Sequence, residues 1–261
     1  MRARTVVAVA VVAAVALAAL GTAPGRSAAE IIQGKGIRVA VGGELSPRRL
    51  PRAGVTPVRI SVSAHLAPVH STALPQLASV AIAINRYGRI DRVGLPTCDI
   101  DDIQPATSAK ALAACSGALV GHGRFEAVVA LDRQAAFPAH GELLAFNGTY
   151  HGRPAILAHV YGTEPIPTSF TLPFTITAHK GTFGTLLQAG LPVAEAGYVT
   201  GFSLSLHRTY TYRGRRHSFA SAGCPAPTGF PGAVYPLART SFRFSGGRAL
   251  GLTLVRNCRA R

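Results

Sequence analysis

The stretch TPVRISVSAHL, residues 56–66, alternates apolar and polar side chains with a period of two. Its apolar set is Val58, Ile60, Val62, Ala64 and Leu66, and its polar set is Arg59, Ser61, Ser63 and His65. Because successive side chains of a strand point to opposite faces, this pattern predicts a β-strand with one face in a core and the other in water.

A second stretch, SFTLPFTITAH (169–179), repeats the pattern. Its inward set is Phe170, Leu172, Phe174 and Ile176, and its outward set is Thr171, Thr175 and Thr177. Pro173 has no N–H to donate to a neighbouring strand, so we expect it at a sheet edge or at a bulge.

Similar segments fill the chain after residue 30, separated by turn signals such as NRYGR (85–89), NGTYHGRP (147–154) and SGGRA (245–249). The further predicted strands are 78–84, 123–131, 142–146, 155–161, 184–189, 199–212, 217–222, 240–245 and 250–258. Many short strands with one polar face predict an all-β protein. We expect an antiparallel β-sandwich, jelly-roll-like, formed by residues 30–261 as one domain.

The exception is QPATSAKALAACSGALVG (104–121), which predicts one short helix near residues 107–116. Thr107 or Ser108 can cap its first turn, and Gly117 suits a left-handed C-terminal stop. Leu112 and Cys115 fall on one face of this helix, which gives it a structural role.

The chain has four cysteines, which allow three disulfide pairings. We favour Cys98 with Cys115 and Cys224 with Cys258, since each pair closes a moderate loop. A free nucleophilic cysteine is the weaker interpretation, because no cysteine lies beside a histidine in a protease signature. A zinc site is weaker still, because the chain contains no closely spaced CxxC and no HExxH motif.

Residues 1–29 are predicted to be a signal peptide, with Arg2 and Arg4 before an apolar run from Val6 to Leu20. Cleavage before Glu30 is the preferred site, and cleavage after Ala23 is the alternative. We therefore expect a secreted or extracytoplasmic protein. A membrane contact is expected only if this segment stays attached as an anchor.

The formal net charge is +16, from 27 Lys and Arg against 11 Asp and Glu. Such an excess favours acidic partners and also keeps a protein soluble. Because arginine and alanine are both abundant, a GC-rich genome offers a simpler cause. We expect an acidic envelope polymer or another envelope protein as partner, and no nucleic acid.

The most basic segment is RTYTYRGRRHS, residues 208–218. Guanidinium groups can bind phosphate or carboxylate, and tyrosine rings can stack on bases or sugars. A binding patch here would consist of Arg208, Tyr210, Tyr212, Arg213, Arg215 and Arg216. The favoured interpretation is a solvated hairpin that turns at Gly214.

No catalytic residue, metal ligand or cofactor is assigned. The acidic cluster Asp99, Asp101 and Asp102 is too small for a calcium loop, and we expect it to interact favourably with the dipole of the short helix. The histidine pairs that could meet are His65 with His70 and His151 with His159. Neither spacing matches a zinc motif.

The sequence gives little support for nucleophilic or acid–base catalysis. Ser203 and Ser205 fall on the polar face of a strand, and not in a nucleophile elbow. Carboxylates for glycoside hydrolysis would have to come from Asp132, Glu142, Glu164 or Glu195. The absence of tryptophan argues against a carbohydrate-binding sandwich, although tyrosines at 150, 161, 198, 210, 212 and 235 offer other ring platforms.

Six segments together resemble an uncharacterised family of exported actinobacterial β-rich proteins with no established activity. They are LPTC, ALAACSGALVGHG, LLAFNG, FGTLLQAGLP, GCPAPTGFPGAVYPLARTSFRF and LTLVRNC, which span most of residues 35–258. The resemblance implies an extracytoplasmic β-rich domain and transfers no functional residue.

These patterns predict a secreted or cell-envelope protein of binding or structural type without catalysis. One alternative is a secreted hydrolase of polysaccharide or ester substrates. The other alternative is a basic module that binds polyanions.

Overall fold

The computed structural model describes residues 29–70, 74–131, 133–164, 167–192 and 197–261. The predicted signal peptide lies outside these residues, apart from Ala29. The described chain contains many strands and one short α-helix, so the all-β prediction with a single short helix is confirmed.

The strands of the first half are β1 (Glu30–Gly34), β2 (Ile37–Ser46), β3 (Arg49–Leu50), β4 (Thr56–Pro57), β5 (Arg59–Pro68), β6 (Leu77–Asn85), β7 (Gly88–Ile90), β8 (Leu119–Val129) and β9 (Phe137–Tyr150). Those of the second half are β10 (Arg153–Gly162), β11 (Thr168–Ala178), β12 (Phe183–Gly190), β13 (Tyr198–Leu206), β14 (Thr209–Tyr212), β15 (Arg215–Ser218), β16 (Ala220–Ala222), β17 (Gly232–Phe244) and β18 (Ala249–Ala260). The helix α1 spans Ser108–Cys115.

Thirteen strands form one sheet in the order β1-β2-β5-β13-β8-β9-β10-β11-β12-β6-β17-β18-β3. All neighbours are antiparallel except β18 and β3. The remaining strands form a two-stranded sheet, β14-β15, and a three-stranded sheet, β4-β16-β7. The large sheet curls, so that apolar residues of β2 and β5 pack in one core cluster with those of β6, β17 and β18. The two layers expected of a sandwich are therefore opposite parts of one sheet.

The curl brings the first strand against a strand near the other end of the sheet. Glu30 in β1 accepts hydrogen bonds through Oε1 from Arg256 Nη1 at 2.6 Å and from Val255 N at 3.1 Å, both in β18. Arg256 Nε also donates to the carbonyl of Gly43 in β2 at 2.6 Å. One arginine thus holds three strands together where the sheet closes on itself.

The alternation read from residues 56–66 is present in β5. Ala64 and Leu66 are buried, Ile60 and Val62 are half-buried, and Arg59, Ser61, Ser63 and His65 are exposed. Pro173 in β11 pairs with Leu157 of β10, whereas β12 pairs only with residues 175–178 of β11. β11 is an interior strand of the sheet, but at Pro173 it has a neighbour on one side only, so the local edge expected from the missing N–H is present there.

One end of the curled sheet is covered by the three-stranded sheet β4-β16-β7. The carbonyl of Ala220 accepts from Val58 N at 3.0 Å, and Cys224 N donates to the carbonyl of Pro51 at 2.9 Å. The Cys224–Cys258 disulfide, with its Cα atoms 5.8 Å apart, joins this cover to β18. The end of the interior that lies below β16 is therefore closed.

A second, smaller core lies on the outer face of β9 and β10. Phe146 and Leu157 are fully buried there beneath Ile103, α1 and the Cys98–Cys115 disulfide, whose Cα atoms are 5.5 Å apart. Both disulfides therefore form in the pairing that the spacing favoured. Because this layer covers the outer face, residues 143–148 and 155–160 are buried on both sides of the sheet.

The prediction for the N-terminal cap of α1 is correct, and the prediction for its C-terminal end is not. Thr107 is the N-cap, since its side chain accepts from Lys110 N at 3.3 Å. The predicted left-handed stop at Gly117 is wrong, because the chain continues through a 3₁₀ turn over Ser116–Ala118. The contact at Gly117 is with a proline: a Cβ there would lie 3.4 Å from Pro96 Cγ.

The predicted strands 199–212 and 217–222 are each broken in two. β13 ends at Leu206, and β14 pairs with β15 in a separate hairpin. Strands β1, β2, β3 and β7 were not predicted, and β7 begins inside the stretch 85–89 that was predicted as a turn. In β2 the signal was present, because Ile37, Val39 and Val41 alternate as buried residues. The connection of β1 to β2 at Lys35 and Gly36 has positive φ angles of 53° and 77°, as a tight hairpin turn requires.

Arg256→Ala tests the hydrogen bonds of Arg256 to Glu30 and Gly43, where the sheet closes on itself. We expect the free energy of unfolding to fall by about 2 kcal/mol, because the Glu30 carboxylate loses its charged partner and the Gly43 carbonyl loses the Arg256 donor. Urea denaturation of the purified protein measures the change. The control is Arg48→Ala, which removes an exposed ion pair to Glu44 at 3.7 Å and should cost less than about 1 kcal/mol. Equal losses for the two variants would contradict a special role for Arg256.

Candidate functional site

The inner face of the curled sheet encloses an apolar cavity of about 120 Å³. It is lined by side chains that share the inward parity of their strands, such as Val62, Ile82, Phe174 and Leu204. These four are only half-buried although they point away from bulk water. They border a void, because the curled sheet is too wide for its inward side chains to fill.

The cavity leads into a wider mouth of about 300 Å³ at the end opposite to the three-stranded cover. The two spaces share the side chains of Leu77, Phe125, Leu172, Leu191 and Val199. The mouth lies where β6, β11 and β13 begin and where β8, β10 and β12 end. Among the residues that the structure describes, the interior is an apolar space covered at one end by β4-β16-β7 and continued at the other by this mouth.

The polar groups around the cavity are largely engaged with the protein. Asn85 Nδ2 donates to the carbonyl of Pro236 at 2.7 Å, and its Oδ1 accepts from Tyr87 N at 3.0 Å. Tyr235 lines the covered end, and burial raises the pKa of its hydroxyl to about 12, so it stays protonated. The cavity accordingly presents no charge to a ligand.

The mouth is more polar than the interior. His140, Glu164 and Tyr198 stand among its lining residues, together with Gln76 and Thr168. Such a gradient, apolar inside and polar at the rim, suits a molecule with an apolar body and a polar end.

The basic segment 208–218 forms the hairpin β14-β15. Its turn residues Arg213 and Gly214 have positive φ angles of 49° and 72°. Tyr210 donates its hydroxyl to the carbonyl of Val93 at 2.9 Å, and Tyr212 packs so closely on Gly94 that a Cβ there would lie 2.1 Å from the ring.

A histidine and an aspartate secure the same hairpin. His217 Nδ1 lies 3.1 Å from Asp91 Oδ2, and its ring stacks on Tyr210 with centroids 5.4 Å apart. Arg208 points its guanidinium to the carbonyl of Gly117 at 3.5 Å. The aromatic side of the hairpin is therefore packed on the protein, and Arg213, Arg215 and Arg216 remain exposed.

The histidines singled out from the sequence lie apart. His151 occupies a turn with φ 48°, whereas His159 is fully buried in the middle of β10. His65 lies 4.0 Å from Glu126. No group of three or more His, Cys, Asp or Glu within the described ranges is arranged to hold a metal ion.

The acidic residues do not assemble one site either. Glu142 stands on the outer face of β9 and Glu164 at the mouth, while Asp132 and Glu195 lie outside the described residues. Asp99 Oδ1 accepts from Asp101 N at 3.2 Å in a local turn. α1 begins at Ser108 and has no acidic residue in its first turn, so the interaction of Asp99, Asp101 and Asp102 with its dipole stays a prediction.

Sequence reasoning missed the cavity because alternation shows which side chains point inward but not whether they fill the interior. One signal was present: most inward positions hold Val, Ile, Leu or Ala, and few large aromatic residues were available to fill a wide sheet.

Replacing Arg213, Arg215 and Arg216 by alanine tests the role of the hairpin. We expect the free energy of unfolding to stay within about 0.5 kcal/mol, because these side chains are exposed. Tyr210→Ala should instead cost about 2 kcal/mol, because it removes a packed ring and a hydrogen bond. Denaturant titration decides the matter, and a large loss in the triple variant would show that the arginines have a structural role.

His159 predicts a dependence of stability on pH. Burial lowers the pKa of its imidazole below the ordinary 6.5, and the nearby Glu142 opposes this shift. The unfolded chain therefore binds the proton first, and the free energy of unfolding should fall as pH drops below about 6.5, by up to about 1.4 kcal/mol per pH unit. His159→Leu should flatten this dependence, and the exposed His207→Leu should not. Identical pH profiles for wild type and His159→Leu would refute the assignment.

The two disulfides bear on where the protein works. Its paired cysteines fit an oxidising, extracytoplasmic environment. Across the part of the chain that the structure describes, no helix has the length and apolar character needed to cross a membrane.

Comparison with known proteins adds no functional assignment. No family model, curated protein or solved structure matches the chain. Its function therefore has to be inferred from the geometry of the cavity and of the surfaces around it.

Proposed function

We propose that this protein is an exported binding protein that holds a small apolar molecule, or the apolar chain of a larger one, inside the curled sheet. The observation that carries the proposal is the apolar cavity of about 120 Å³ that opens through a mouth of about 300 Å³. Export is part of the proposal and is supported by the predicted signal peptide and by the two disulfides.

The cavity is costly for a protein that leaves it empty. Protein interiors are close-packed, and a void costs about 24 cal/mol per Å³, or about 3 kcal/mol for this one. An apolar cavity of about 150 Å³ stays dry and accepts a benzene-sized molecule. A ligand that fills the space recovers the lost contacts, so binding is favourable without any charged partner.

The shape of the space favours an elongated ligand. The space extends from Phe219 and Ala220 at the covered end to the mouth, which is lined by His140, Glu164 and Tyr198. An alkyl or isoprenoid chain fits this arrangement, with its body among the inward aliphatic side chains and a hydroxyl or carbonyl at the rim. Each buried CH₂ group contributes about 0.8 kcal/mol.

Linear alcohols from hexanol to hexadecanol test the proposal by isothermal titration calorimetry. We expect Kd to fall about fourfold per added CH₂ until the chain reaches the covered end, and then to level off. The chain length at the plateau measures the depth of the cavity.

Val199→Phe is the matched variant, because Val199 lines both the cavity and the mouth. It should weaken dodecanol binding at least tenfold by obstructing the passage between them. The control is Val234→Phe, the same change at a position 75% exposed on β17. If no alcohol of the series binds, or if Val199→Phe binds dodecanol like wild type, the protein does not use this cavity.

A further inference from the structure

The outer face of the sheet carries a second candidate site. Along β2, β5, β13, β8, β9 and β10, the strand register aligns Gly42, Ser63, Ser203, Arg124, Glu142 and Tyr161 in one row across the strands. At about 4.8 Å per strand this row is about 24 Å long. All its members share the outward parity, opposite to the side chains that line the cavity.

The row lies in two adjoining grooves of about 790 Å³ and 470 Å³, which meet at Gly123 and Arg124. Thr107, Ser108 and Ala109 at the start of α1 line the first groove. Over β5 and β13 the floor of the groove is formed by small side chains, because the outward residues there are Ser61, Ser63, Ser203 and Ser205. We call this continuous depression the outer trough.

The outer trough offers hydrogen-bonding groups that the protein does not use. Within the described residues, no hydrogen bond involves the side chain of Ser63, Ser203, Arg124 or Tyr161. Hydroxyls can donate and accept, and the guanidinium supplies several donors in a fixed plane. The half-buried ring of Tyr161 adds an apolar surface at one end of the row.

The charges of the outer trough differ from those of the whole chain. Its lining contains Arg124 but also Glu44, Glu126 and Glu142, whereas the chain carries a formal net charge of +16. Three of the eleven acidic residues are therefore concentrated on this face. Glu44 is paired with Arg48 at 3.7 Å. Glu126 lies two residues from Arg124 on β8, whereas Glu142 lies opposite Arg124 on β9. These last two carboxylates disfavour a polyanion and leave a neutral ligand rich in hydroxyl groups unaffected.

We infer that the outer trough binds a neutral glycan chain that runs across the strands along the row from Gly42 to Tyr161. Sugar hydroxyls would exchange hydrogen bonds with the serines, Arg124 and Glu142. A sugar ring would stack its C–H face on Tyr161, one of the tyrosines that can serve as an aromatic platform in a chain without tryptophan. This site is separate from the apolar cavity and does not depend on it.

Calorimetric titration with two neutral hexasaccharides, cellohexaose and the hexamer of N-acetylglucosamine, tests the inference. We expect at least one of them to bind, and its disaccharide to bind at least tenfold more weakly, because it covers only part of the row. A polyanion such as polygalacturonate should not compete for this site.

Ser203→Tyr should weaken binding of the hexasaccharide at least tenfold by filling the floor, and Arg124→Gln should weaken it without adding bulk. The matched control is Thr177→Tyr, at an exposed position on the outer face of β11 that lies away from the outer trough. Its Kd should stay within twofold of wild type.

Dodecanol binding in the same variants separates the two sites. If Ser203→Tyr loses the glycan but keeps the alcohol, the fold is intact and the outer trough is the glycan site. If neither hexasaccharide binds the wild type, or if Ser203→Tyr and Arg124→Gln bind it like wild type, the inference is overturned whatever the alcohol result.

Discussion

The structure depends on one constraint: the apolar side chains of every strand must point to the same interior. Because side chains alternate along a strand and register aligns neighbouring strands, a slip of one residue would move a whole apolar set into water. The core cluster that joins β2 and β5 to β6, β17 and β18 exists only if every strand keeps its parity. Closure at Glu30 and Arg256 follows from this curl and stabilises it.

The same constraint explains why the interior is not filled. A sheet of this width encloses more space than medium-sized aliphatic side chains can occupy, and the small cover β4-β16-β7 closes one end only. The entrance, the covered end and the uncharged lining therefore come from a single architectural cause. The proposed binding of an apolar molecule makes use of all three features.

The outer face is governed by different physics. Over β9 and β10 it is covered by α1 and the Cys98–Cys115 disulfide, and there it forms a second core. Over β5, β13 and β8 the outer face is uncovered and lined by small polar side chains. Its acidic residues distinguish it from the rest of the chain, which is basic. Arg213, Arg215 and Arg216 are exposed at the β14-β15 hairpin, whose aromatic residues anchor it to the protein.

Local chemistry made part of this molecule predictable from sequence. Period-two alternation identified β5, β6, β10 and β11, the Thr107 cap placed α1, and loop length favoured the disulfide pairing that forms. Each of these depends on residues close together in the chain. The order of the strands, the cavity and the row from Gly42 to Tyr161 depend on which distant segments become neighbours. Only the tertiary structure decided these features. Backbone hydrogen bonds between strands are the same for any pair of strands, so the sequence of one strand does not show which strand is its neighbour.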